Sequence, residues 1–146
     1  MAEQDLIRAA RDNVEAFNAG DWDRFKATLT ADSLEEEVAT QRRLQGVGQI
    51  EESAQGWKQA FPDVKGTITN VLATGNTVTM QITWEGTHTG PLAGPAGTIP
   101  ASGKRVTVRA ANVITFAGEK IKENHNYFDL MTILQQIGAV PQPQQV

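Results

Sequence analysis

Residues 104–138 read KRVTVRAANVITFAGEKIKENHNYFDLMTILQQIG, and the spacing of apolar side chains within them decides the fold. Val106, Val108, Ala110, Ile114 and Phe116 recur at period two, so they share one side of a pleated strand while Arg105, Thr107, Arg109 and Thr115 take the other. Ala117-Gly118-Glu119 turns the chain into a second strand. Asp129 is placed to cap a short helix over 130–137, which Gly138 closes. One residue breaks the apolar row. Asn112 sits within it, where a buried amide must find partners or cost about 1–3 kcal/mol. Such an amide is either a hydrogen-bond bracket or part of a binding site. The second strand alternates ambiguously: Lys122, Asn124, Asn126 and Phe128 share one side, and Ile121, Glu123, His125 and Tyr127 the other. A bulge would exchange the two sets.

Working outward, 89–103 (TGPLAGPAGTIPASG) holds four glycines and three prolines and is expected to be a long irregular loop, a lid or an excursion. Before it, 65–73 and 77–87 flank Thr74-Gly75-Asn76 as an antiparallel hairpin. Val78, Met80, Ile82 and Trp84 share a face of that hairpin, and their parity continues to His88. Three helices are expected upstream. The first covers 4–18, with Leu6, Ile7, Ala10, Val14 and Phe17 on one stripe and Gly20 as its end. The second is capped by Asp21 and carries Trp22, Phe25 and Leu29; the third covers 49–61 and is stopped by Pro62. Residues 33–44 read as a short edge strand or a frayed turn. The resulting order, three helices, at least four antiparallel strands and a helix, is that of an α+β fold. A curved sheet closed by helices would leave a cone with an apolar interior, a natural pocket.

At 146 residues the chain is expected to form one domain, 1–140, with 141–146 as a mobile tail. Apolar residues at 40% and charged residues at 21% exclude a disordered or fibrous chain. The net charge of -4, with Arg42-Arg43 and Lys104-Arg105 as the adjacent basic pairs, argues against a nucleic-acid partner. With no cysteine there is no disulfide, no thiolate chemistry and no Cys-ligated zinc. The two histidines and scattered carboxylates show no metal-ligand spacing, and no glycine loop of the phosphate-binding kind opens a helix. No metal and no cofactor are therefore expected. The start MAEQDLIRAARDNVEAF is acidic where a secretory signal is basic, and no apolar run approaches the roughly 20 residues that span a bilayer. A cytoplasmic protein without membrane contact is the expectation.

AFNAGDWDRF (16–25), WEGTHTGPL (84–92), PASGKRV (100–106) and EKIKENHNYFDLMTILQQIG (119–138) together resemble the SnoaL-like polyketide cyclases of the NTF2-like superfamily. The resemblance covers nearly the whole chain. It implies a cone-shaped α+β barrel with a deep cavity, assembled as a homodimer or larger homo-oligomer through the outer face of the sheet. In cyclases of this family an aspartate on the last strand and a histidine on the preceding one serve an intramolecular aldol closure. Aligned without a gap through the turn and the terminal Q-I-G, the histidine position falls on Asn112 and the aspartate position on Asn126. An amide has no proton-transfer pKa near neutrality and cannot be the general base. It can hold a carbonyl or enolate oxygen.

Asn112, Asn126 and His88 are thus the candidate catalytic residues, with His88 as proton carrier because an imidazole titrates near neutrality. Trp84, Trp57, Asn124 and Phe128 are the candidate ligand-binding residues, the aromatic rings suiting a flat ligand. His125 is expected on the outer face, Asp129 as a helix cap, and Arg109 at the surface or in a subunit interface. Glu35, Glu36 and Glu37 are simplest as a solvated charge run, with one of them able to reach the mouth of the cone as a base. No strand position clearly supplies the inward carboxylate that a relative of the ketosteroid isomerases or epoxide hydrolases needs. Two readings follow: a protein binding a hydrophobic, oxygenated, ring-containing small molecule, and, if an enzyme, a cofactor-independent lyase or isomerase; or a non-catalytic module whose cone is filled by its own side chains.

Overall fold

In the computed structural model, which describes residues 2–94 and 96–141, the elements in chain order are α1 (Glu3–Ala19), α2 (Trp22–Ala27), β1 (Leu29–Glu37), β2 (Arg42–Gln45), α3 (Val47–Ala60), β3 (Lys65–Thr74), β4 (Thr77–Thr87), β5 (Leu92–Gly94), β6 (Gly97–Ile99), β7 (Arg105–Ala117), β8 (Lys120–Phe128) and α4 (Leu130–Gln136). The α+β class holds. β1 to β4 with β7 and β8 form one curved sheet in the order β2-β1-β8-β7-β4-β3. Its pairings are antiparallel except that of β1 with β8, which is parallel. The expected antiparallel strands are present in β3, β4, β7 and β8, and β1 joins them as a parallel neighbour of β8. β1 and β8 lie far apart in the chain and are not joined by a hairpin, so nothing local imposes opposite directions on them.

α1 buries Leu6, Ala10, Val14 and Phe17 and lies against β3 and β4. Gly20, at φ 66°, closes it in the left-handed conformation that glycine adopts without a Cβ penalty. The Asp21 carboxylate accepts a hydrogen bond from Arg24 N–H and starts α2. That helix stops at Ala27, and Leu29, expected on it, instead opens β1; Leu29 is buried in either role. The uncertain region resolves as two strands joined by a 3-10 turn over Val38–Thr40. β1 is interior and β2 is the edge.

Residues 89–103 are not wholly irregular. β5 and β6 pair as a small antiparallel hairpin, and Leu92 and Ile99 pack with Ala60, Phe61, Ile133 and Ile137. The expected mobility of the tail falls, beyond Pro141, on residues outside those described. In β8 the register slips between the pairs Thr115↔Glu123 and Phe116↔Ile121, which leaves Lys122 as the extra residue of a bulge. The slip puts Ile121, which is buried, on the same side as Asn124, Asn126 and Phe128 despite the opposite parity. The core divides into two buried clusters, and Trp57, Val64 and Trp84 touch both. Between the clusters the cone is hollow.

Candidate functional site

The hollow is a cavity of about 150 Å³. One wall is built by rows across neighbouring strands. Register sets Glu35 beside Asn124 and Glu37 beside Asn126, and Asn126 beside Asn112; all five line the cavity. Apolar rings complete the lining, with Phe17 from α1, Trp57 from α3 and Trp84 from β4, while Phe128 continues the β8 row. The structure therefore brings Asn112, Asn126, Trp84, Trp57, Asn124 and Phe128 to one space.

Asn112 Nδ2 donates to Asn124 Oδ1 at 3.0 Å, which fixes both amide planes and answers most of the burial cost of Asn112, 6% exposed. The Nδ2 groups of Asn124 and Asn126 donate to no protein acceptor among the described residues. Two other polar atoms, Asn126 Oδ1 and Ser53 Oγ, are buried without a partner among the described residues.

Glu37 is 1% exposed, yet its charge is answered. Thr40 Oγ1 donates to Oε1 at 2.6 Å, Trp57 Nε1 donates to Oε2 at 3.0 Å, and Arg42 Nη1 stands 3.8 Å from Oε1. Two residues earlier on the same face, Glu35 has no hydrogen-bond or ion-pair partner among the described residues. Burial, first, and the neighbouring Glu37 charge, second, push its pKa up to about 8, with Arg42 pulling weakly the other way. A carboxyl group so tuned exchanges protons near neutral pH. The charge run is thus not uniformly solvated: Glu36 alone of the three turns outward, 2.9 Å from His125 Nδ1.

His88 lies elsewhere. It is fully buried but does not line the cavity. Ser102 N–H donates to His88 Nδ1 at 3.1 Å, so the ring proton sits on Nε2, which is buried without a partner among the described residues. The ring packs on Phe61, with centroids 5.3 Å apart, and it is Phe61 that faces the cavity. Burial lowers the His88 pKa. The parity argument placed His88 on the inner side correctly, but at the strand end, beyond the cavity wall. Its backbone and ring instead pin the return of the β5–β6 segment: His88 N–H donates to Lys104 O at 2.8 Å and Gly103 N–H to His88 O at 2.7 Å.

The sequence left open which of Glu35, Glu36 and Glu37 could reach the cone as a base, and the unpaired inward carboxyl is Glu35. Its signal was present in Ser33, Glu35 and Glu37 at period two, hidden because the inward side of β1 is polar. His125 is on the outer face and Arg109 is exposed. No group of three metal-capable side chains occurs among the described residues. No helix among them is long and apolar enough to cross a membrane.

A six-stranded curved sheet wrapped on helices around a lined cavity defines the NTF2 and ketosteroid isomerase-like class. Solved structures agree on the fold. A candidate SnoaL-like polyketide cyclase from Jannaschia sp. CCS1 superposes with a TM-score of 0.85 at 22% identity, over 95% of each chain. A candidate hydroxylase, AclR from Streptomyces galilaeus, gives 0.84 at 19% identity, over 99% of this chain and 87% of that one. A protein of ketosteroid isomerase-like fold from Catenulispora acidiphila, solved with trimethylamine, gives 0.76 at 20% identity, over 89% and 92%. No curated protein matches by sequence. The model of the SnoaL-like polyketide cyclase family matches residues 7–137, and the chain belongs to that family.

Proposed function

We propose that the cavity binds a hydrophobic, oxygenated, ring-containing molecule, and that the protein is a cofactor-independent isomerase or lyase rather than a standard aldol cyclase. Glu35 is the proton carrier, in place of His88. The observation that supports this is a carboxyl group on the cavity wall, without a protein partner among the described residues, whose pKa is pushed up to about 8. Beside it stand amide Nδ2 groups with free donors.

In this reading ionised Glu35 takes a proton from the carbon next to a carbonyl. The C–H electron pair becomes the new C=C bond as the C=O π pair moves onto oxygen, and the enolate so formed is held by Asn124 and Asn126 Nδ2. From a β,γ-unsaturated ketone the enolate is a dienolate, and return of the proton to its γ-carbon completes an isomerisation; from a β-hydroxy ketone, expulsion of the hydroxyl, protonated by Glu35 and leaving as water, completes an elimination. Asn112 braces Asn124 for the task. The outer face of the sheet, where Leu72 and Tyr127 are exposed, is in the same reading the contact face of a homodimer.

The test is deuterium wash-in from D2O at the α-carbon of cyclic ketones, followed by proton NMR. Glu35→Gln should lower the rate about 10²–10⁴-fold, while Glu36→Gln, on the outer face, should not change it. Ligand binding without wash-in in the unaltered protein would favour the non-catalytic reading.

A further inference from the structure

Resting on that reading, we propose that Glu37 is a positioning residue for the proton transfer: a carboxylate fixed by the protein, whose charge holds the exchanging proton on Glu35. β1 sets the geometry. Side chains two residues apart on a strand point the same way, and at about 3.3 Å per residue their Cα atoms stand roughly 6.6 Å apart. Both carboxyl groups line the cavity, and the protein answers them unequally. Glu37 receives Thr40 Oγ1 at 2.6 Å, from the turn after β1, and Trp57 Nε1 at 3.0 Å, from α3, so its charge keeps one place. Glu35 has no hydrogen-bond or ion-pair partner among the described residues, so its proton is free to move to a ligand.

Arg42 cancels part of this field and not the whole. Its guanidinium stands 3.8 Å from Glu37 Oε1 with 43% of the side chain exposed, against 1% for Glu37, and it is not part of the cavity lining. Water therefore screens the cation more than it screens the anion. The balance at Glu35 agrees: after burial, the Glu37 charge raises its pKa by more than Arg42 lowers it. The other elements around Glu35 bring little charge. Of the remaining lining residues Glu85 of β4 alone is ionisable, and it is exposed. Asn124 of β8, beside Glu35, is neutral, as are Asn13 of α1 and Ser53 of α3, while Glu36 and His125 meet each other on the outer face. For a general base the consequence is strength, since a carboxylate that holds its proton more tightly takes one from carbon faster.

The experiment follows Glu35 in two ways: its carboxyl-carbon NMR signal against pH, which needs no ligand, and the pH profile of deuterium wash-in on cyclohexanone. Glu37→Gln should lower the Glu35 midpoint, about 8 in the parent, by about one pH unit in both. The midpoint should stay above the ordinary 4.5 because burial, the larger cause, is unchanged. Wash-in at about pH 6 should then rise, as more Glu35 is ionised, while the high-pH plateau falls severalfold because the base is weaker; a merely structural defect would lower both. Glu37→Asp, which keeps the charge, should bring the midpoint back toward the parent's, and Arg42→Gln should raise it. An unchanged midpoint in Glu37→Gln overturns the inference, and if that variant does not fold, an unchanged midpoint in Arg42→Gln overturns it instead. Its failure separates from that of the reading beneath it. If the Glu35 signal shifts with Glu37 but no form exchanges deuterium, the coupling of the two carboxyls stands and the catalytic role of Glu35 falls. If wash-in requires Glu35 and its midpoint ignores Glu37, the catalytic role stands and the inference falls.

Discussion

Glu35 and Glu37 are two residues apart on one face of one strand and differ in what meets their oxygens. Glu37 receives Trp57, Thr40 and Arg42; Glu35 receives nothing from the protein among the described residues. Function at such a position carries a thermodynamic signature. The folded pKa of Glu35, about 8, lies above its ordinary value of 4.5, so the native state holds a proton that the unfolded chain releases. Stability must then be greatest at low pH as far as this group is concerned and must fall as pH rises from about 4.5 to about 8. Urea unfolding at a series of pH values should show this decline. Glu35→Gln should remove it and leave the variant more stable than the parent above pH 8 by a few kcal/mol. A parent whose stability is flat over that window would mean Glu35 titrates as an ordinary carboxylate.

At the scale of elements, the β5–β6 segment is tied at its return by His88 and Ser102, and this tie requires a neutral imidazole. Ser102 N–H donates to Nδ1, and protonation would put a second hydrogen where that acceptor lone pair is. Because burial lowers the folded pKa, the unfolded chain takes up the proton first. Stability from this group is therefore lost as pH falls below about 6.5. The protection factor of the Gly103 amide, whose N–H is bonded to His88 O, should fall on acidification through that range once the intrinsic slowing of exchange is divided out, and His88→Gln should blunt the pH response. Unaltered protection of Gly103 down to pH 5 would show that the tie does not depend on the ring. Much of this architecture was legible in the residues themselves. The β7 row, the β3–β4 hairpin, the Asp21 and Asp129 caps and the Gly20 stop each follow from spacing alone, because each is a local pattern with an apolar side. β1 was not, since its inner face carries Ser33, Glu35 and Glu37. The hairpin in 89–103 was hidden by its glycines and prolines. The inward turn of Asn124 and Asn126 depended on a bulge at Lys122, which arises from pairing between strands and has no signature within one. For the same reason His88 was assigned to the right side of the sheet at the wrong depth.

Across the whole molecule, the helices cover one face of the sheet and leave the other to solvent, with Leu72 at 64% and Tyr127 at 45% exposure on it. Arg43 reaches toward Glu36 at 3.9 Å and His125 meets the same carboxylate, so the outer face is polar on the Tyr127 side of the sheet. In the proposed dimer Tyr127, beside the Glu36–His125 pair, is the centre of the contact, with Leu72 on the far edge strand β3. Light scattering on the purified chain should give twice the monomer mass, and Tyr127→Lys should shift it to the monomer without loss of the folded circular-dichroism signal. A monomeric parent would remove the dimer from the proposal.

The parallel pairing of β1 with β8 has a bearing on the order in which the protein can be made. A strand near the start of the chain waits for one near its end, so the sheet can be zipped together only after residues 120–128 have left the ribosome. The cavity wall that holds Glu35, Glu37, Asn124 and Asn126 is a seam closed by β8, the strand of this sheet that comes last in chain order. No nascent fragment lacking β8 carries the site, and the long-range contacts that complete it place this closure among the slow, non-local steps of folding.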